Sequence, residues 1–173
     1  METLEAILTR RSTRQYTDEP VSAEAMKTLL RAAMHAPSAV NQQPWHFVVI
    51  DDRALLDRIP DFHPYSSFLR EAPAAIVVCG DLERDRLGAS YWVQGCSAAT
   101  QNLLLAAHAI GLGAVWLGVY PMKERVEGVR RLLRLPGNLV PLNIVSLGHP
   151  AESPAQVDRF DPSRVSRNVW PGA

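Results

Sequence analysis

The sequence predicts a single domain of mixed helices and strands, built either as a parallel sheet or as an α+β sandwich. Three observations lead there. The chain has 173 residues, nearly half apolar and about a fifth charged, which suits one compact unit with a real core. Helical and strand-like segments follow one another in the order α-α-β-α-β-α-β-α-β. The longest helical segment sits near the middle, between short strands. Alternation is the habit of parallel sheets, but a long central helix flanked by short strands suits an α+β sandwich equally well.

The first helix is expected over residues 3–10, with Leu4, Ile7 and Leu8 on one face. A second starts at Ser22, a good N-cap, and carries Met26, Leu29, Leu30, Ala33 and Met34 at helical spacing. It must end near Pro37. Residues 45–50 read as a strand from their aromatic and β-branched content. Asp52 then caps a short helix with Leu55, Leu56 and Ile59. Residues 60–73 are irregular, and 74–79 form a buried strand. The long helix covers residues 90–110, where Trp92, Cys96, Ala99, Leu103, Ala106 and Ile110 recur in steps of four and three. Its small residues, Gly95, Ser97, Ala98 and Ala99, fit close approach by a second subunit or tight packing within one chain. Gly111 stops this helix. Strands follow at 114–118 and 140–147, with a helix at 122–133 between them. After Pro150 the chain turns polar and proline-rich. This tail still carries Arg159, Phe160, Arg164, Val165 and Trp170, and is expected to dock on something.

Composition excludes several classes. Formal net charge is zero, so general nucleic-acid binding lacks the cationic surplus that neutralises phosphates. Of the 18 basic residues only Lys27 and Lys123 are lysines; the rest are arginines, the better side chain for bidentate phosphate contacts. No apolar run approaches the roughly 20 residues of a membrane helix, and with charge from Glu2 onward and no early apolar run, a secretory signal is not expected. Cys79 and Cys96 lack metal or redox spacing, which fits reduced core residues of a cytoplasmic protein. The histidines at 35, 46, 63, 108 and 149 show no metal-ligand spacing, and no metal is expected.

Three clusters carry the candidate chemistry. Arg10, Arg11, Ser12, Thr13 and Arg14 gather three guanidinium groups and two hydroxyls, the set a phosphate wants. A plain basic helix end has the same composition. The segment from Pro37, Ser38, Ala39 and Asn41 to Trp45 is a turn rich in amides. Amides present donors and acceptors together, which suits a flat heterocycle with alternating C=O and N–H; singly they are turn-formers. Gly111 to Gly118 begins like a dinucleotide fingerprint, but lacks the final glycine and runs from helix to strand, so a Rossmann site is rejected. No nucleophile elbow or carboxylate pair stands out, which leaves the chemistry to a cofactor.

In this order the clusters resemble the nitroreductase family of FMN enzymes. Arg10–Arg14 looks like its R-R-S-x-R phosphate signature, 37–45 like its P-S-x-x-N-x-Q-P-W segment, and 111–118 like its G-L-G-x-x-W-L-G strand. The tail from Arg159 to Val165 is similar to its C-terminal basic element. The resemblance implies an α+β sandwich with a mainly antiparallel sheet, a homodimer that exchanges its C-terminal tails, and an FMN in each of two interface sites. It implies one FMN-binding domain over 1–173, with 151–173 as an extension docked on the partner. Arg10, Arg11, Ser12 and Arg14 would hold the phosphate and ribityl end, and Arg164 would complete that set. Pro37, Ser38, Ala39 and Asn41 would reach the other subunit's flavin, and Trp116, Leu117 and Gly118 would flank the ring. His63, Tyr65 and Phe68 are candidates for the substrate pocket. The implied activity takes a hydride from NADPH or NADH and passes it, by a ping-pong route through flavin N5, to a small nitro, quinone, enone or flavin acceptor. A flavin store or sensor, or a specialised relative, is the alternative.

Overall fold

The computed structural model describes residues 1–88 and 90–170. Its helices are α1 (Thr3–Thr9), α2 (Ala23–Met34), α3 (Arg53–Leu56), α4 (Tyr91–Ala109) and α5 (Lys123–Leu133). Its strands are β1 (Trp45–Ile50), β2 (Ala74–Asp81), β3 (Gly113–Gly118) and β4 (Leu139–Gly148). The strands form one sheet in the order β1-β2-β4-β3, and all three pairings are antiparallel. The fold is therefore the α+β sandwich, and the parallel alternative falls. Alternating helices returned the chain to the same sheet without making its strands parallel.

The local rules hold at most boundaries. Ser22 Oγ accepts from Ala25 N–H at 3.2 Å, and Asp52 Oδ1 from Ala54 N–H at 2.8 Å. Gly111 follows α4 at φ 83°, a left-handed geometry that glycine takes without strain. The short helix is shorter than expected: α3 ends at Leu56, and Ile59 lies in a separate 3-10 turn (Ile59–Asp61). Pro60 cannot donate the backbone bond that would have continued it.

Every residue of β2 is buried, so the sheet is covered on both faces. On one face α2 and α4 pack over Ile76, Val78 and Val145. On the other, α5 and the 53–72 segment pack over Val77, Ile144 and Leu117. Asn143 Nδ2 donates to Thr100 Oγ1 at 2.9 Å, and Thr100 donates on to Cys96 O at 2.7 Å, a buried polar chain that ties β4 to α4 and leaves Asn143 Oδ1 without a partner among the described residues. Within the small-residue stretch of α4, Gly95 and Ala99 are buried inside the protomer, while Ser97 and Ala98 stay partly exposed. Among the described residues, no helix is long and apolar enough to cross a membrane.

Candidate functional site

β3 is an edge strand, and this positions the site. The Arg10–Arg14 segment runs along the start of its outer edge. Ser12 bridges Ala114 in parallel, and Thr13 N–H donates to Ala114 O at 3.1 Å. Gly113 permits this approach: a Cβ there would meet Thr13 Cγ2 at 2.6 Å. Tyr16 anchors the segment from behind. Its buried hydroxyl donates to Thr13 O and accepts from Ser146 Oγ, both at 2.6 Å.

Further along, no strand among the described residues lies on the outer edge of β3. Ala114 O and Gly118 O both point outward, since each accepts from a group outside the sheet. By the two-residue period Trp116 faces outward as well. Trp116 N–H and C=O and Gly118 N–H thus form an open row of donor, acceptor and donor. Beside this row lies a cleft of about 550 Å³ whose lining includes Arg14, His63, Tyr65, Phe68, Trp116, Leu117, Gly118 and Arg125. It therefore unites the strand triplet, the three pocket candidates and one of the phosphate arginines.

The arginines divide by what they touch. Arg10 is half-buried, with its pKa pushed down first by burial and then by the like charges of Arg159 and Arg11. Among the described residues neither Arg10, Arg14 nor Arg159 has an ion pair; Glu152 Oε1 accepts from the Arg14 backbone N–H at 2.7 Å, and Glu5 and Glu152 line the cleft beside Arg10, so the three guanidinium groups stay unpaired although carboxylates stand nearby. Arg11 points elsewhere. It donates to Leu8 O and Arg10 O at the end of α1, and to Ala155 O and Val157 O of the tail, which makes it a backbone clamp. Arg164 is not brought to the cluster either; it is exposed and paired with Asp161 at 3.0 Å. The tail arginine that stands near Arg10 is Arg159. Sequence spacing could not show this, because the route of an irregular tail follows no period.

His108 was missed because it reaches the cluster from the far end of α4, about a hundred residues away in the chain. It lines the 420 Å³ cleft beside Arg10, and Thr9 Oγ1 accepts from its Nε2–H at 2.8 Å while donating to Glu5 O. Burial, then Arg10, holds its pKa below the ordinary histidine value, so it adds no charge to the cluster.

The amide-rich turn is strained. Val40, Asn41 and Gln43 take φ of 44°, 53° and 48°, left-handed geometry that costs a β-branched valine most. Ser38 Oγ accepts from Gln43 N–H at 2.9 Å, and Asn41 Oδ1 from Gln43 Nε2 at 3.1 Å, so the turn is held by its own polar groups. Pro37 and Ala39 flank Ser38, and Ser38 and Pro44 rest on α4 at Gly95. The arginine segment lies near the other end of α4, at His108. Thirteen residues of helix separate Gly95 from His108, about 20 Å at 1.5 Å per residue. One protomer holds the two clusters well apart.

Of the pocket candidates, His63 is buried and donates Nε2–H to Gly118 O at 3.0 Å; burial above all keeps it neutral. Tyr65 is largely exposed and Phe68 partly buried. Arg125, which sequence reasoning passed over, gives Gly118 O a second donor at 2.9 Å.

An edge strand with open amides, a free cationic cluster and an antiparallel sandwich around one long helix together define a fold with known relatives. The Nitroreductase family matches over residues 7–63 and 63–149, and the chain belongs to that family. A Methanothermobacter thermautotrophicus protein provisionally named NADH dehydrogenase/NAD(P)H nitroreductase is 50% identical over 98% of this chain and 88% of its own length. A solved Parabacteroides distasonis structure with the same provisional name superposes at a TM-score of 0.93, with 43% identity over 97% of this chain and 98% of that one. A provisionally named nitroreductase of Desulfovibrio desulfuricans, solved in complex with FMN, is 36% identical over 99% of both chains at a TM-score of 0.82.

Proposed function

We propose that the protein is an FMN-dependent NAD(P)H oxidoreductase that works as a homodimer in the cytoplasm. The observation that carries this reading is the open row on β3 beside unpaired arginines. It offers alternating amide groups for a flat heterocycle and cations for a phosphate at one place, which is the donor set FMN needs. Relatives named for NAD(P)H nitroreduction and FMN reduction, and one bound to FMN, support it.

In this reading Arg10, Ser12, Arg14 and Arg159 hold the phosphate end, and Trp116, Leu117 and Gly118 flank the ring. The second subunit brings its Pro37–Asn41 turn, the cluster that one protomer keeps about 20 Å away. Residues 1–173 form one domain, with the tail from 151 onward docked on the partner. Exposed Phe160, Val165, Val169 and Trp170, and exposed Leu4, Ile7 and Leu8 of α1, are the surfaces that docking would cover.

When bound, FMN supplies the ring position, N5, that takes up and returns a hydride. The chain's own groups bind and orient. His63 and Arg125 fix the Gly118 peptide, and the 62–68 segment walls the cleft. NAD(P)H gives up a hydride and leaves, and the acceptor then stacks in the same place. A nitro acceptor takes those two electrons with two protons, one of them from solvent, giving a nitroso product and water. Quinones, enones and free flavin are acceptors of the same kind. One cleft serving both partners in turn predicts parallel double-reciprocal plots, and intersecting lines would overturn the two-step route.

A further inference from the structure

We propose that Arg125 is an anion-selecting residue and that the preferred acceptor is an aromatic ring bearing a carboxylate or similar anionic group. This rests on the flavin reading above and deepens it. Three features of the cleft carry it. None of the residues that line it is acidic, while Arg14 and Arg125 both reach it. His63 is held neutral and adds nothing to that balance. Arg14 lies in the segment assigned to the flavin, so Arg125 is the cation left over for whatever enters next.

Arg125 is also placed rather than floating. One Nη1 hydrogen goes to Gly118 O at 2.9 Å, and its guanidinium carbon lies 5.5 Å from the centre of the exposed Tyr65 ring. The rest of its planar fork is unspent, and a fork suits a carboxylate in two-point contact. Among the described residues no carboxylate, neither Glu124 beside it nor Glu127, forms an ion pair with it, and Glu127 lies against Lys123 and Arg131 instead. Arg125 lines the same cleft as Trp116, Leu117 and Gly118, the residues proposed to flank the flavin ring, so an anion on the acceptor's own ring would come within its reach. The pyrophosphate of a nicotinamide donor is set further back, behind a ribose.

The test compares 4-nitrobenzoate with 4-nitrobenzyl alcohol on the FMN-loaded enzyme. The wild type favours the anion, and the preference narrows as salt screens the charge. Arg125→Gln, which keeps an amide donor for Gly118 O, lowers the ratio of the two kcat/KM values about tenfold. Arg125→Lys, which keeps the charge, restores much of it. Two further measurements separate the alternatives. Anaerobic reduction of the bound flavin by NADH and NADPH reads the donor step; a variant that slows it and leaves the acceptor ratio alone assigns Arg125 to the donor pyrophosphate and overturns the proposal. Calorimetric binding of 4-aminobenzoate against 4-aminobenzyl alcohol needs no turnover. Anion-selective binding that Arg125→Gln abolishes supports the site even if no acceptor is reduced, in which case the oxidoreductase reading alone fails. Equal binding of the two ligands overturns the site.

Discussion

The sheet with α4 and the chain beyond Pro150 are built on opposite terms. Leu103, Ile76, Val77 and Ile144 are fully buried, and the polar groups among them, Asn143 and Thr100, are bonded to each other or to α4 backbone. In the tail, Phe160 and Trp170 leave 77% and 72% of their surface exposed. A core of the first kind is complete within one chain. In the tail, by contrast, large apolar groups spaced along a polar, proline-rich segment remain open to water within one chain. The candidate site straddles the two. The β3 edge belongs to the finished part, whereas Arg10 stands beside tail residue Arg159, and the Ser38 turn lies about 20 Å along α4 from the arginine segment of its own protomer.

The largest effect that would sharpen this contrast comes from the core. Leu103→Ala should cost about 2–5 kcal/mol in urea unfolding, through lost burial and the cavity it leaves. A cost below about 1 kcal/mol would mean that α4 is loosely packed. Phe160→Ala and Trp170→Ala should leave that core stability nearly unchanged and weaken the dimer about thirtyfold each, or about 2 kcal/mol if both are interface anchors. Sedimentation over a concentration series reads this, and a wild-type chain that stays monomeric at micromolar concentration would break the comparison. Arg14→Ala should weaken FMN binding tenfold to a hundredfold, as expected for loss of a charge-assisted bond of roughly 1.5–3 kcal/mol, and should barely affect riboflavin, which lacks the phosphate. Equal losses for both ligands would make Arg14 a support of the fold.

The smallest effect concerns pH. Burial pushes the Asp81 carboxyl upward, but bonds from Asn138, Glu83 N–H and His46 outweigh it and leave it below the usual carboxylate range. A folded pKa below the unfolded one, about 3.9, stabilises the native state above about pH 4 and ceases to do so as the pH falls through the folded value. Asp81→Asn should therefore flatten the acid limb of the stability curve while lowering stability near neutrality. An unchanged acid limb would assign that transition to other carboxylates.

The regular elements were legible because periodicity survives packing. Met26, Leu29, Leu30 and Ala33 show the helical face of α2, and 45–50 and 74–79 read as strands. Strand direction was not legible from alternation, since a βα unit returns a chain to its sheet with either sense, and the family resemblance had to decide. Ser12 and Arg14 meet the 116–118 triplet along the β3 edge only through the fold, since about a hundred residues separate them; spacing within each cluster made the clusters visible, and the family resemblance, not spacing, joined them. Arg11 reads like a phosphate ligand, yet it spends its fork on four carbonyls, a choice set by where α1 ends and where the tail returns. Arg125 and Arg159 were invisible for the complementary reason: each meets the site through a distant segment, and neither belongs to a local motif.

The most direct test of the central claim is an anaerobic titration of the purified, FMN-loaded protein with NADH and with NADPH. The structure and the family predict a yellow protein with about one FMN per chain, whose visible band bleaches with one equivalent of at least one nicotinamide and returns when a nitro or quinone acceptor is added. A protein that binds FMN and keeps its colour with both nicotinamides would be a flavin-binding module, and the oxidoreductase account would be wrong.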